Sequence, residues 1–226
     1  MPPRGKQASG LLTQQKMLRA AVKLFLEKRY EGTTTAEIAR AAGMPPSSFF
    51  RAFPSKEALL LELDKRKFSG QFTLVEQHSA AQDPVLLYAV ETAIQLHIAE
   101  LTEPLRKLYV TAYTLSSTSA YLHRSTAKRL EGIFGDYLPD AEAKDFYEME
   151  IASTGMMRSF MAVPCDVYFT VERKIARFLE CALKLCNVPP ERRRGSARPF
   201  CSSTCTPWRR ASSERPSSRP KRVSRP

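Results

Sequence analysis

The residues best placed to do chemistry lie between Thr34 and Lys56, and their chemistry is recognition rather than bond making. Thr34-Thr35-Ala36-Glu37 has the T-x-x-E form of a capping box. The Thr34 hydroxyl can accept from the Glu37 amide while the Glu37 side chain reaches back. A short helix follows through Ala42, with Ile38, Ala39 and Ala42 on its inner face. Gly43 suits the left-handed residue that ends such a helix. Pro45-Pro46 opens a further short helix, because proline is tolerated in a first turn. Phe49 and Phe53, four residues apart, give that helix a buried stripe. Ser47, Ser48, Phe50 and Arg51 are then turned outward. Two short helices joined by a tight glycine turn form a helix-turn-helix by spacing. A helix of about eight residues is roughly 12 Å long, which suits insertion into a major groove about 12 Å wide.

Catalysis finds no support in the same chain. It has no GxGxxG, P-loop, HExxH or GxSxG pattern, and its three histidines are His78, His97 and His123. Nothing pairs a nucleophile with a base. We therefore expect no enzyme, no cofactor and no metal site.

The elements that must position the recognition residues are helical throughout. Leu18, Ala21, Val22 and Phe25 fall at helical spacing and predict a first helix over 11–29, broken by Glu31-Gly32. Pro54-Ser55 stops the recognition helix, and Ser55 can cap a long helix beginning at Lys56. Further helical patterns run over about 84–101, 104–117, 120–135, 140–162 and 165–187, punctuated by Pro104, Gly135, Pro139 and Pro164. From Pro189 onward the chain holds 10 Arg, 8 Ser and 7 Pro with almost no aliphatic residues. Such a segment buries little apolar surface, so disorder is expected. The fold class is all-α, divided as 11–60, 61–188 and a basic tail, 189–226.

The net charge of +12 over 226 residues is unevenly spread. Residues 1–70 carry 13 Lys/Arg against 6 Asp/Glu, residues 71–188 carry 11 against 15, and residues 189–226 carry 11 against 2. A basic head, a mildly acidic body and a very basic tail point to a polyanion at one end and something else in the middle. The five cysteines are odd in number and form no CxxC pair, so a reducing cytoplasm fits best. No secretory leader is expected at the N-terminus, and no apolar run approaches the length of about 20 residues that spans a membrane.

Residues 18–63 resemble the N-terminal domain of the TetR (tetracycline-repressor-like) family. The correspondence runs through Ala20-Ala21, Leu24-Phe25, Thr34-Thr35, Ile38-Ala39, Ala42-Gly43, Phe49-Phe50, Phe53 and Ser55-Lys56-Glu57, with order and spacing kept. The resemblance implies a ligand-responsive, sequence-specific DNA-binding regulator of transcription, most commonly a repressor. It implies that Thr34, Thr35, Ser47, Ser48, Phe50, Arg51 and Lys56 form the DNA face. Thr35 would touch a phosphate at a helix N-terminus, Arg51 would reach guanine O6 and N7, and Lys56 would hold the DNA backbone. Three positions depart from the family pattern: Phe50 replaces the usual tyrosine, Pro45 stands where Ser or Thr often caps, and Ala52 replaces His or Tyr.

The resemblance also assigns the body two tasks, binding a small-molecule effector and forming a homodimer on a palindromic double-stranded operator. Tyr88, His97, Tyr109, Tyr113 and Phe146 are candidate effector contacts, being polar or aromatic residues on otherwise apolar helices. Met149, Ile151, Met156, Met157, Phe160, Val171, Ile175, Phe178, Leu179, Ala182 and Leu185 form stripes at spacing 3–4. They face either the chain's own core or a second subunit. A rival reading is a helical adaptor whose tail, through Arg192-Arg193-Arg194 and Lys221-Arg222, attracts RNA or an anionic membrane.

Overall fold

The computed structural model describes residues 4–78 and 83–201, with side chains over 10–67 and 83–195. The described residues form ten α-helices and one short 3-10 turn, Gly135–Tyr137, and no strand. In chain order the helices are α1 Arg4–Lys28, α2 Thr35–Ala41, α3 Ser48–Ala52, α4 Lys56–His78, α5 Pro84–Glu100, α6 Glu103–Thr114, α7 Ser116–Phe134, α8 Ala143–Ala162, α9 Val171–Leu185 and α10 Pro190–Cys201.

Local chemistry sets most of the boundaries. Asp83 accepts from the Val85 amide at 3.0 Å with Pro84 in the first turn of α5. Thr102 caps α6 through the Leu105 amide and Thr170 caps α9 through the Arg173 amide, each at 3.3 Å. Ser55 caps α4 by accepting from the Ala58 amide at 3.0 Å. Helix α9 ends on Asn187 at φ 54°. There the Val188 amide returns to Leu183 O at 2.9 Å and the Asn187 amide to Lys184 O at 3.0 Å, so two otherwise orphaned carbonyls are satisfied.

Three apolar clusters hold these elements. The first joins α1 to α4: Met17, Leu18, Ala21 and Phe25 meet Ile38, Ala39, Phe49, Phe53, Leu59 and Leu60, with Ala112 of α6 reaching in from the body. The stripe of α1 differs from the sequence expectation, since Met17 is fully buried while Val22 is 36% exposed. The second cluster packs α5, α6, α7, α8 and α9 around Leu96, Met161, Phe178 and Leu179. The third gathers Val85, Phe134, Phe146, Leu183 and Val188 at the far end of the body.

A buried ion pair ties the lower body. Lys174, 0% exposed, donates to Glu100 Oε1 at 2.5 Å and to the Val163 carbonyl, while Glu100 Oε2 accepts from Arg106 at 3.4 Å and the Cys165 amide at 3.2 Å. Breaking such a pair from one side leaves a buried charge and is strongly destabilising.

Helix α4 runs unbroken across residue 60, so the divisions 11–60 and 61–188 share it. One expected boundary differs. Residues 190–201, expected to be disordered, form α10. Pro190 and Glu191 suit a first turn, Arg192 Nη2 meets Asp83 Oδ2 at 2.6 Å, and Arg193 Nη1 donates to Val188 O at 3.0 Å. Ion pairs and arginine stems thus hold this segment where aliphatic burial cannot. The remaining tail, 202–226, including Lys221-Arg222, lies outside the described residues.

Candidate functional site

The outward face of α3 carries the recognition residues. Helix α2 ends on Gly43 at φ 73°, with the Met44 amide on Ala39 O and the Gly43 amide on Arg40 O, both at 2.9 Å. That turn fixes the angle at which α3 leaves α2. Helix α3 is shorter than expected, five residues instead of about eight, because Pro46 and Ser47 form a hydrogen-bonded turn ahead of it. Phe49 and Phe53 are buried beneath it, their rings 6.0 Å apart. Opposite them Ser47 and Arg51 are exposed, Ser48 is half-buried, and Phe50 is 63% exposed with its ring edge-on to Phe49. Gln14 Nε2 donates to the Ala52 carbonyl at 3.1 Å, bracing α1 against α3. A groove beside this contact is lined by Leu11, Thr13, Met44, Ser48 and Arg51.

The threonines divide their work. Thr34 is exposed, but its hydroxyl accepts from the Glu37 amide at 3.2 Å and donates to Glu37 Oε2 at 2.9 Å. Its own amide also bonds Oε2, at 2.9 Å, so both halves of the capping box are present. Lys28 Nζ reaches Glu37 Oε1 at 2.7 Å and ties α1 to α2. Together these contacts hold the Glu37 carboxyl down at about 2. Thr34 is therefore a cap with little hydrogen-bonding capacity left, whereas Thr35 is half-buried at the first turn of α2. Lys56 also differs from the expectation of a phosphate clamp. Its ammonium donates to Tyr30 O at 2.7 Å and Thr33 O at 2.8 Å and sits 4.2 Å from the Tyr30 ring centroid. Two of its three donors are turned inward, where they secure the loop before α2.

The body holds a small, partly open cavity of about 60 Å³ between α5, α6, α7 and α8. Polar side chains reach its wall from four helices: Tyr88, Glu91, Thr92 and Gln95 come from α5, Tyr113 from α6, Thr126 and Arg129 from α7, and Glu150, Ser153 and Thr154 from α8, among apolar Leu122, Leu130, Ile133 and Met157. Arg129 Nη2 sits on both carboxylate oxygens of Glu91. Gln95 Nε2 donates to the Tyr113 hydroxyl. Thr154 donates to Glu150 Oε1 at 2.6 Å. Burial pushes the Glu150 carboxyl up to about 7 and the Tyr88 and Tyr113 phenols well above their ordinary range.

Of the expected effector contacts, Tyr88 and Tyr113 line this cavity. His97, Tyr109 and Phe146 do not. Phe146 is sealed among Phe134, Leu183 and Val188, Tyr109 lies under the Lys67 ammonium at 4.0 Å, and His97 is half-buried elsewhere on α5. Among the described residues no group of three or more His, Cys, Asp or Glu could hold a metal ion. No described helix is long and apolar enough to cross a membrane.

The sequence profile of the bacterial regulatory proteins of the tetR family matches residues 17–63, the span from α1 into α4 that builds this head. Residues 17–63 thus form a TetR-family N-terminal domain. It is similar to the HTH-type transcriptional regulator TcmR of Streptomyces glaucescens, 27% identical over 133 residues, which is 58% of this chain and 54% of that one. It is also similar to the uncharacterized HTH-type transcriptional regulator YvkB of Bacillus subtilis, 35% identical over 65 residues, 29% of this chain and 34% of that one. The chain thus spans about half, or less, of the length of these curated relatives. The crystal structure of RolR with resorcinol superposes at a TM-score of 0.65, 18% identical, over 84% of this chain and 95% of that one. FadR of Thermus thermophilus, a TetR-family repressor solved with lauroyl-CoA, superposes at 0.57, 20% identical, over 76% and 92%. These two likenesses are of fold.

The cavity residues beyond the two tyrosines went unread in the sequence. Glu91, Arg129 and Glu150 are spread over three helices, and only packing brings them together. A helical wheel of α8 offers a weak signal, since Glu150, Ser153, Thr154 and Met157 share one face.

Proposed function

We propose that this chain, with its TetR-family head, regulates transcription by binding a palindromic double-stranded DNA operator as a homodimer. The observation that carries the reading is the outward face of α3, where Ser47, Phe50 and Arg51 stand exposed on a helix anchored by buried Phe49 and Phe53. Ser48 and Arg51 read base edges or phosphate, Thr35 meets a phosphate at the start of α2, and Phe50 packs on a thymine methyl or sugar. Thr34 and Lys56 support that face from within. The domain division follows as a head over 11–60 and an effector-binding and dimerisation body over 61–188, with α4 shared between them.

The dimer face is best supplied by α8 and α9. Ile151, 44% exposed, and Leu185, 37% exposed, leave the core side of their helices, and a two-fold partner doubles the contacts of one short recognition helix. The chain acts in the cytoplasm as a repressor, and a small molecule in the α5–α8 cavity releases it from the operator. RolR solved with resorcinol and FadR solved with lauroyl-CoA, alike in fold, support a small-molecule effector. A contiguous path supports the coupling: Lys67 of α4 sits 4.0 Å from the Tyr109 ring centroid and 6.0 Å from that of Tyr113, whose hydroxyl takes the Gln95 bond at the cavity wall. A ligand that displaces Gln95 or Tyr113 would move α4 and with it the head.

Selection of bound DNA from a random pool tests the reading. A palindromic consensus is expected, and Arg51→Ala should relax one position and weaken binding about 5- to 150-fold, the worth of a bidentate base contact. A consensus unchanged by Arg51→Ala refutes this assignment. Loss of sequence-specific binding on truncation after residue 189 would favour the tail-based adaptor instead.

A further inference from the structure

We propose that the α5–α8 cavity takes a compact organic cation, a protonated amine on a small apolar or aromatic frame, with Glu150 as its counter-ion. The inference rests on the reading of this cavity as the effector site and names the chemistry of what fills it.

The cavity contains two acids and one base, and the base is already spoken for. Arg129 holds both carboxylate oxygens of Glu91, so that pair is neutral as a unit. Glu150 is only 5% exposed, lines the cavity, and among the described residues forms no ion pair. Its hydrogen bond comes from a neutral hydroxyl, that of Thr154 one turn along α8. A buried acid in such a place is left either to protonate or to wait for a positive charge. The rest of the wall suits an ammonium. Tyr88 and Tyr113 supply aromatic rings, which attract cations, and Ser153 and Thr92 supply acceptor oxygens. Leu122 and Met157 give the frame an apolar seat. At about 60 Å³ the cavity has room for water and must widen to admit such a molecule. A small ligand therefore fits better than a long-chain one.

The charged and titratable groups facing Glu150 leave it as the group that responds to pH near neutrality. They are Tyr88 and Glu91 on α5, Tyr113 on α6, Arg129 on α7 and Cys186 after α9. Burial keeps the two phenols and the Cys186 thiol neutral, the thiol being pushed up to about 12. The Glu150 carboxyl, pushed up to about 7, gains its charge as pH rises from 6 to 8. Amine binding should strengthen across that interval by about tenfold, the ratio of ionised fractions.

The test is calorimetric titration of the full chain with matched pairs, 2-phenylethylamine against 2-phenylethanol and cyclohexylmethylamine against cyclohexylmethanol. Each amine is expected to bind at least tenfold more tightly than its alcohol at pH 8, to lose most of that advantage at pH 6, and to lose all of it in Glu150→Gln. If that variant does not fold, Glu150→Asp should keep the pH trend with weaker binding. Amines that bind no better than their alcohols, or that bind not at all, overturn the proposal, as does an amine preference that survives Glu150→Gln. Operator release, followed in parallel by fluorescence anisotropy of labelled DNA, separates the two readings. Alcohols that bind and release DNA where amines do not leave the effector site standing and remove the cation. Amines that bind without releasing DNA leave the cation site standing and remove its regulatory role.

Discussion

Lys56 Nζ donates to the carbonyl oxygen of Thr33 at 2.8 Å, across the loop that joins α1 to α2. With the Tyr30 carbonyl at 2.7 Å and the Tyr30 ring beneath it, the ammonium acts as an internal staple. Hydrogen bonds to a charged group contribute about 1.5–3 kcal/mol where buried, and the partial exposure of Lys56 lowers that. Lys56→Met should therefore cost about 1–2 kcal/mol and lower Tm by roughly 2–8 °C. The salt dependence of DNA binding should be unchanged, since a phosphate contact would have contributed about one unit of slope. Retained Tm with a shallower slope would return Lys56 to the DNA face.

Glu37 makes the head sensitive to acid. Its carboxyl is held at about 2 by the Lys28 ammonium, then by the Thr34 amide and hydroxyl, against an unfolded value of 4.5. A carboxyl lowered by folding stabilises the fold above its unfolded pKa, and that contribution is lost as pH falls from about 5 toward 2. Glu37→Gln should flatten this part of the pH–stability curve. Thr34→Ala should shift the whole curve down by about 1 kcal/mol, the usual cost of removing an N-cap. Chemical denaturation from pH 7 to pH 2 measures both, and a wild-type curve as flat as that of Glu37→Gln would remove the acid linkage.

Much of the head could be read from residue order because its determinants are local. A capping box, a glycine C-cap, a serine cap and a pair of phenylalanines four apart each involve residues within five positions, so the chain carries them openly. The role of Lys56 was hidden because its partners, Tyr30 and Thr33, lie 26 and 23 residues away. The cavity was less legible still. Tyr88 and Tyr113 could be singled out as polar aromatics on apolar helices, but Phe146 looked the same and is core. Glu91, Arg129 and Glu150 carry no local signal of burial, and only the packing of α5, α7 and α8 turns them toward one cavity.

Gly43 is the backbone joint of the recognition motif. Its φ of 73° lies in the left-handed region, and a Cβ added there would meet nothing within 4 Å. The cost of Gly43→Ala is therefore backbone strain alone, about 1–2 kcal/mol, while Gly43→Asn should recover part of it because asparagine tolerates that conformation. Loss of DNA affinity should track loss of stability in the order Gly, Asn, Ala. If Gly43→Ala is as stable as the wild type, α2 and α3 do not depend on this turn.

Glu150 should impose the opposite pH trend on the body. Its carboxyl is raised by burial from 4.5 to about 7, so the folded state prefers the proton that the unfolded state gives up. That preference stabilises the fold fully below about pH 4.5 and fades as pH rises through 7. The difference corresponds to roughly 3 kcal/mol as an upper value. Glu150→Gln keeps the shape, and its amide can still accept from Thr154, yet it has no charge to desolvate. The variant should match the wild type at pH 5 and exceed it in denaturant midpoint at pH 8. A compact amine bound to the wild type at pH 8 should narrow that gap by neutralising the same charge. Equal midpoints at pH 8 would mean that water or a shift of α8 already solvates Glu150, and the cavity would then exert no pull on a cation.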